Sequence, residues 1–89
     1  MGKYAKFFLK LMSAQADGSI DFNELLTFLQ AIGFVLARVS GSHHILYYKD
    51  IPELIDLHPD KHDHSKAKTY QVRQVRTFIK KYNVEVDIS

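Results

Sequence analysis

The chain has 89 residues, enough for one small domain, and its 46% hydrophobic and 25% charged residues form an ordinary globular composition that excludes disorder. It contains no cysteine, which excludes disulfides, thiol catalysis and thiolate metal sites and favours a cytoplasmic location. The apolar runs are far shorter than the roughly 20 residues that cross a bilayer, so we expect no membrane partner.

The net charge of +2 is unevenly spread along the chain. Residues 58–82 hold seven lysines and arginines against two aspartates, whereas residues 13–57 are net acidic. A local basic field attracts phosphates, which favours a nucleic-acid partner. The alternative interpretation is a solvated helix face whose lysines serve solubility.

The first two predicted elements are helices. In residues 3–14 the apolar side chains recur at three- and four-residue spacings, the pattern of one helical stripe. A second helix begins after Asp21, whose carboxylate can cap free N–H groups, and Glu24 three residues later completes a capping-box pattern. Gly33 supplies the stop at its C-terminus.

Three strands and a last helix follow. Residues 34–39 and 43–49 are rich in strand formers and lie so close together that they predict an antiparallel hairpin. Residues 54–58 predict a third strand, 59–68 an exposed loop and 69–82 a helix. The outward positions of this helix are predicted to hold the cations Arg73, Arg76, Lys80 and Lys81.

The order of these elements predicts an α+β fold. Because three antiparallel strands cannot bury both faces by themselves, the helices should lie together on one face and leave the other open. We expect a single domain over residues 1–89, with residues 21–84 as its core unit and residues 1–20 as an N-terminal helical extension.

The turn Gly41-Ser42-His43-His44 holds the residues with the clearest chemical meaning. A glycine in a tight turn lets backbone N–H groups approach a phosphate closely. A neutral imidazole can take the proton from a 2′-hydroxyl, which then attacks the adjacent phosphorus. Because neighbouring strand residues point to opposite faces, at most one of the two histidines sits at the reacting centre. The alternative is that both histidines are structural or merely exposed.

Cations precede and follow the start of the last helix, where the helix N-terminus adds its own partial positive charge. The candidates for phosphate contact are Lys66, Lys68, Arg73 and Arg76. Contacts of this kind are independent of base sequence and sensitive to salt.

Two patterns imitate metal sites. His58, His62 and His64 supply enough nitrogen ligands for zinc, but their spacing fits no helix face and a loop is a poor frame for a precise site. Residues 13–24 imitate an EF-hand loop, yet the first position is Ser13, which leaves too few carboxylates for calcium. We therefore expect no metal and no other cofactor.

The arrangement of these segments resembles the HicA toxins. The resemblance rests on a helix ending in Gly33-Phe34, a strand, the turn Gly41-Ser42-His43-His44 and a C-terminal helix like that of 66–76, and it covers roughly residues 21–84. It implies a fold like the double-stranded-RNA-binding domain, with two helices packed on one face of a three-stranded antiparallel sheet.

The same resemblance implies a cytoplasmic toxin that cleaves mRNA without a metal and is held in check by a HicB-type antitoxin. The catalytic histidine of that family maps onto His43, and His44 is a rival because some relatives keep only the second histidine. Gly41 and Ser42 map onto the turn that positions it. We expect no DNA binding by this chain alone.

Two other functions are compatible with the sequence. One is an RNA-binding module of the same fold that does not cut its ligand. The other is a protein-directed module whose open sheet face and basic helix bind a partner protein.

Overall fold

The computed structural model describes residues 4–86, and the ends of our predictions at residues 1–3 and 87–89 lie outside that range. It contains three helices, α1, α2 and α3, and three strands, β1, β2 and β3. Their bounds in chain order are α1 Ala5–Met12, α2 Phe22–Ala31, β1 Val35–Ser40, β2 His43–Tyr47, β3 Ile55–Leu57 and α3 Thr69–Lys81. A short 3-10 turn, Asp17–Ser19, lies between the first two helices.

The strands form one antiparallel sheet in the order β1-β2-β3. This confirms the predicted α+β fold with an additional N-terminal helix. The strand register aligns Val39 with His44 and Ser40 with His43, and it shifts between Leu36 and Arg38. Because paired residues share a face of the sheet, the register decides which side chains meet the helices.

One face of the sheet is covered by helices and the other is open, as predicted. Leu46, Ile55 and Leu57 on the covered face are fully buried. The hydrophobic core joins them to side chains from all three helices, including Phe7, Leu11, Leu25, Phe28, Leu29, Val72, Val75 and Phe78. Burying each of the large side chains stabilises the fold by roughly 1.5–3 kcal/mol.

The predicted start of α2 is confirmed in atomic detail. Asp21 Oδ2 accepts a hydrogen bond of 2.8 Å from the backbone N–H of Glu24, which satisfies one of the free donors of the first turn. Gly33 follows the helix with a φ of +113°, and the ring of Tyr48 would lie 3.3 Å from a Cβ at this position. Glycine therefore meets both a backbone and a packing demand here.

The predicted outward position of Arg76 is wrong. Its side chain is buried between α3 and the 3-10 turn, where Nη1 and Nη2 donate to the two carboxylate oxygens of Asp17 at 2.8 and 2.9 Å. Nη1 also donates to the carbonyl oxygen of Leu11 at 2.9 Å. The helical period places position 76 beside the buried stripe, and these partners satisfy the guanidinium there.

The segment from 59 to 68 is only partly the exposed loop we predicted. Residues 61–65 are exposed, but Ala67 is buried and its N–H donates to the carbonyl oxygen of Ile20 at 2.9 Å. Lys66 pairs with Asp21 in an isolated β-bridge. These backbone contacts hold the approach to α3 against the start of α2.

Candidate active site

The two histidines of the predicted turn lie at the start of β2. Ser40 pairs with His43, so Gly41 and Ser42 form a two-residue turn between β1 and β2. Gly41 has a φ of +61°, and apart from its two chain neighbours no residue within 4–86 has a heavy atom less than 4 Å from where a Cβ would lie. The demand for glycine is therefore one of backbone conformation alone, and a side chain there costs roughly 1–2 kcal/mol.

His43 lies on the open face of the sheet beside a carboxylate. Its Nδ1 is 3.0 and 3.1 Å from the two carboxylate oxygens of Asp56, which belongs to β3. A carboxylate only accepts hydrogen bonds, so Nδ1 carries the proton and Nε2 has the lone pair of the neutral ring. The His43 side chain is 51% exposed and the Asp56 side chain 47%, so substrate and solvent can reach the pair.

His44 points to the opposite face, as alternation along a strand requires. Its ring packs edge-on against Phe22 with centroids 5.1 Å apart, and its Nδ1 lies 2.9 Å from the carbonyl oxygen of Ser42. Because a carbonyl also only accepts, the lone pair of a neutral His44 is on Nε2 as well. Both histidines are thus oriented, but His44 is half-buried and its orienting partner is uncharged.

A third histidine, His58, lies against His43. The two ring centroids are 4.7 Å apart, and the backbone N–H of His58 donates to Gln71 Oε1 at 3.1 Å. The buried Gln71 amide in turn donates to the carbonyl oxygen of Asp56 at 3.0 Å, so a side chain from α3 fixes the end of β3. Burial lowers the pKa of His58, and the charges of Lys68 and His43 lower it further, which favours the neutral ring.

A groove of about 340 Å³ adjoins this histidine pair. It lies between the turn, the end of β3, the following loop and the residue that precedes α3. Its lining residues are Ser42, His58, Pro59, Lys61, His64 and Lys68, and we call it the lysine groove. The groove therefore combines two cations and two imidazoles within reach of the turn.

A family comparison decides what kind of protein carries this site. The model described as HicA toxin of bacterial toxin-antitoxin matches residues 22–83, most of the chain. The chain belongs to the HicA toxin family. It is accordingly a toxin of a toxin–antitoxin system, and its partner is an antitoxin. No curated protein and no solved structure shows significant similarity to the chain.

The matched residues of this HicA-family toxin contain the whole histidine site. They run from α2 to the end of α3, whereas α1 and the 3-10 turn precede them. Arg76 joins the two parts, since it lies on α3 and pairs with Asp17 in that turn. Among residues 4–86, no helix is long and apolar enough to cross a membrane.

The four cations predicted to contact phosphate lie in different surroundings. Lys68 lines the lysine groove, while Lys66 is half-buried in its bridge to α2. Arg73 is exposed, and its charge contributes to lowering the pKa of Asp17, so it lies within electrostatic range of the 3-10 turn. Arg76 is occupied by its ion pair, leaving Lys68 as the one of the four that lines the groove.

The histidines of the loop after β3 do not assemble a metal centre. Within residues 4–86, no group of three or more histidine, cysteine, aspartate or glutamate side chains is placed to hold an ion. Asp60 instead accepts hydrogen bonds from the backbone N–H groups of His62 and Asp63, and Asp63 accepts from Ser65. These bonds lower the pKa of both carboxyl groups and shape the loop.

Three residues of the site were not identified from the sequence as parts of it. Asp56 and Gln71 were not singled out, and His58 was considered only as a metal ligand. One signal was present: Asp56 is the polar residue between Ile55 and Leu57, and alternation in a strand predicts that it faces away from the core. The register that places it beside His43 depends on pairing between β2 and β3, which local sequence does not specify.

Proposed function

We propose that this HicA-family toxin is an endoribonuclease that cuts mRNA without a metal, with His43 as its general acid and base. The observation that carries the proposal is the exposed imidazole of His43 held at Nδ1 by the Asp56 carboxylate. The arrangement leaves Nε2 for the substrate, and the carboxylate stabilises the imidazolium that forms when the ring takes a proton.

The reaction needs one proton removed and one delivered. Nε2 of His43 takes the proton of a 2′-hydroxyl, O2′ forms a bond to the adjacent phosphorus, and the bond from phosphorus to O5′ breaks. A proton from the imidazolium or from water goes to O5′. The products are a 2′,3′-cyclic phosphate and a 5′-hydroxyl, and no electron donor or acceptor is required.

Binding the charged RNA strand requires positive groups near the turn. Among the four cations that we predicted, Lys68 is the one best placed to bind the strand near His43, because the groove it lines adjoins His43 through His58. Lys66 and Arg73 are proposed to contact phosphates further along the strand. Arg76 is proposed to act through the fold, since its donors are occupied.

His44 is the rival catalytic residue. Its Nδ1 bond to the Ser42 carbonyl also leaves Nε2 with the lone pair, so its tautomer suits general-base catalysis. The structure favours His43 because His43 is more exposed and has a charged partner.

The proposed partners are mRNA as the substrate and a HicB-type antitoxin as the inhibitor. An RNA-cutting enzyme harms its host unless it is held inactive, so the antitoxin should cover the open face around His43. We place the activity in the cytoplasm, where mRNA is translated.

The test combines growth, mRNA integrity and cleavage by the purified chain in the presence of EDTA. Wild type should stop growth and cut RNA, and His43→Ala should do neither. His62→Ala is the matched control, because it removes an exposed histidine whose hydrogen bond to Asp60 is made by its backbone N–H. An inactive His44→Ala beside an active His43→Ala would transfer the catalytic role to His44.

Two other results would contradict the enzyme itself. Intact RNA after long incubation with a folded wild-type chain that binds it would indicate a binding module that does not cut. Cleavage abolished by EDTA and restored by a divalent ion would contradict the metal-independent reaction.

A further inference from the structure

The lysine groove is a concave site whose residues come from four separate segments. Ser42 is in the turn, His58 follows β3, Lys61 and His64 are in the loop, and Lys68 precedes α3. Each of these segments is anchored by backbone contacts to its neighbours, including the bond from Asp60 N–H to the carbonyl of Lys66 at 2.8 Å. The groove is therefore a formed feature of the fold and not a gap beside a single loop.

Positive charge dominates the groove lining. Lys61 and Lys68 are its formal charges, and no carboxylate lines it. The nearby carboxylates are engaged elsewhere: Asp56 pairs with His43, Asp60 accepts from two backbone N–H groups, and Asp63 accepts from Ser65. The charge of Lys68 contributes to the lowered pKa of His58 and also of Asp60, so its ammonium group lies within electrostatic range of both side chains.

The start of α3 adds to this positive field. The helix has no side-chain cap and no acidic residue in its first turn, and Lys68 is its N-cap residue. Acidic residues are common at such positions because they offset the partial positive charge of a helix N-terminus. Here the terminus is left without that compensation next to two lysines, which suits an anionic ligand.

The groove and the proposed reaction centre share a wall. His58 lines the groove on one side and contacts the ring of His43 on the other, with 4.7 Å between ring centroids. A ligand in the groove therefore lies next to a strand whose phosphate is bound at His43. When an RNA strand is bound with one phosphate at His43, the nearest anion for the groove is the next phosphate of the same strand.

We propose that the lysine groove is a second phosphate site, which binds the RNA phosphate next to the one that is cut. The identification of the ligand as RNA rests on the proposed function, whereas the affinity for phosphate rests on the groove. Lys61 and Lys68 bind the phosphate oxygens, and the imidazoles of His58 and His64 border them. The site would fix which phosphodiester of the strand reaches His43.

The first test is a binding measurement on the full chain by NMR at pH 7. Inorganic phosphate is added, and a short 2′-O-methyl RNA with hydroxyl ends is added separately, because it contains only internal phosphodiesters and cannot be cut. Both ligands should shift the ring signals of His58 and His64 more than those of His62, which lies in the same loop but does not line the groove.

Two double variants with the same change in net charge provide the control. Lys61→Ala with Lys68→Ala should weaken both ligands about tenfold, as expected for the loss of charge-assisted hydrogen bonds. Lys6→Ala with Lys80→Ala removes two exposed lysines from other surfaces and should leave binding within about twofold.

The second test is kinetic and uses the same variants. Loss of the groove lysines should raise KM for RNA about tenfold while kcat changes less than about threefold, because the groove binds substrate away from the bond that breaks. Unchanged KM in this variant, or equal shifts of all five histidines with phosphate, would overturn the proposal. A groove that binds inorganic phosphate but not the methylated RNA would also overturn the proposal, since the RNA strand would then not reach the groove.

The two proposals fail in different ways. Phosphate binding in the groove by a wild-type chain that cuts no RNA would contradict the nuclease and still support the phosphate site. RNA cleavage by a chain whose groove does not bind phosphate would support the nuclease and overturn the second phosphate site. Groove shifts produced by a polyglutamate peptide but not by phosphate would assign the groove to an acidic protein partner instead.

Discussion

Two aspartates pair with basic side chains at nearly the same distance, and the two pairs differ in their exposure. Arg76 Nη1 lies 2.8 Å from Asp17 with the side chains 10% and 13% exposed, whereas His43 Nδ1 lies 3.0 Å from Asp56 with 51% and 47% exposed. Burial strengthens the Coulomb attraction within an ion pair, at a cost in desolvation, and leaves its groups no room for a ligand. The first pair therefore joins parts of the fold, and the second is available for chemistry.

The largest expected effect that separates the pairs is on catalysis. His43→Ala should lower the rate of RNA cleavage by about 10²- to 10⁴-fold, the usual contribution of a general acid or base. Its free energy of unfolding should change by less than about 0.5 kcal/mol, because the side chain is exposed. Cleavage assays and urea unfolding on one preparation check both, and a large loss of stability would mean that the exposed pair also supports the fold.

Removing Arg76 should have the opposite effect, a loss of stability as the main change and not a loss of catalysis. Arg76→Ala leaves Asp17 and the carbonyl of Leu11 without their donor, so the free energy of unfolding should fall by about 2 kcal/mol, less than for a deeply buried pair because the 3-10 turn lies near the surface. Urea unfolding measures it.

Arg73→Ala is the matched control, since it removes an exposed arginine from the same helix. It should cost less than about 0.5 kcal/mol. A double-mutant cycle with Asp17→Ala isolates the pair, and additive losses from Arg76→Ala and Asp17→Ala would show that the two side chains are not coupled.

The carboxylate of the exposed pair should matter less than the histidine it orients. Asp56→Asn keeps the shape but removes the charge that stabilises the imidazolium, and cleavage should slow about tenfold, a modest factor because solvent screens the pair. Asp50→Asn, an exposed aspartate outside the site, is the control and should leave the rate unchanged. Equal rates for wild type and Asp56→Asn would show that His43 acts without its partner.

Local sequence predicted most of the fold because the responsible signals are local. The Asp21 cap, the glycine after α2 and the closely spaced strand segments each act within a few residues, and each is found in the structure. The position of Arg76 was missed because an arginine on a helix is usually assigned to solvent. Its partners are 59 and 65 residues away in the chain, and no local pattern indicates them.

The features of the candidate site also divide into those that local sequence predicts and those that depend on distant residues. The opposite orientations of His43 and His44 follow from strand alternation and were predictable. The neighbours of His43 come from β3 and α3 and depend on tertiary structure: Asp56 through the strand register, and His58 through the Gln71 amide that fixes the end of β3. A sequence can therefore indicate a candidate histidine well before it can indicate what surrounds it.

The smallest expected effect is on the pH dependence of stability, and it concerns His58, which is half-buried beside the exposed pair. Its pKa in the folded chain is lowered from the ordinary value of 6.5, first by burial and then by the charge of Lys68. The unfolded chain therefore takes up a proton at His58 before the folded chain does, and stability should fall as the pH drops from about 6.5 through the lowered pKa.

Unfolding free energies at pH 7.5 and pH 5 measure this difference, and both values lie above the range in which Asp17 titrates, because the hydrogen bond from Arg76 lowers its pKa from 3.8. His58→Gln cannot titrate, so its decline between the two pH values should be smaller than that of wild type. Lys68→Ala should also reduce the decline, because it removes one cause of the lowered pKa. Identical declines in all three chains would mean that His58 is as accessible to protons in the folded chain as in the unfolded one, and that it belongs with the exposed pair.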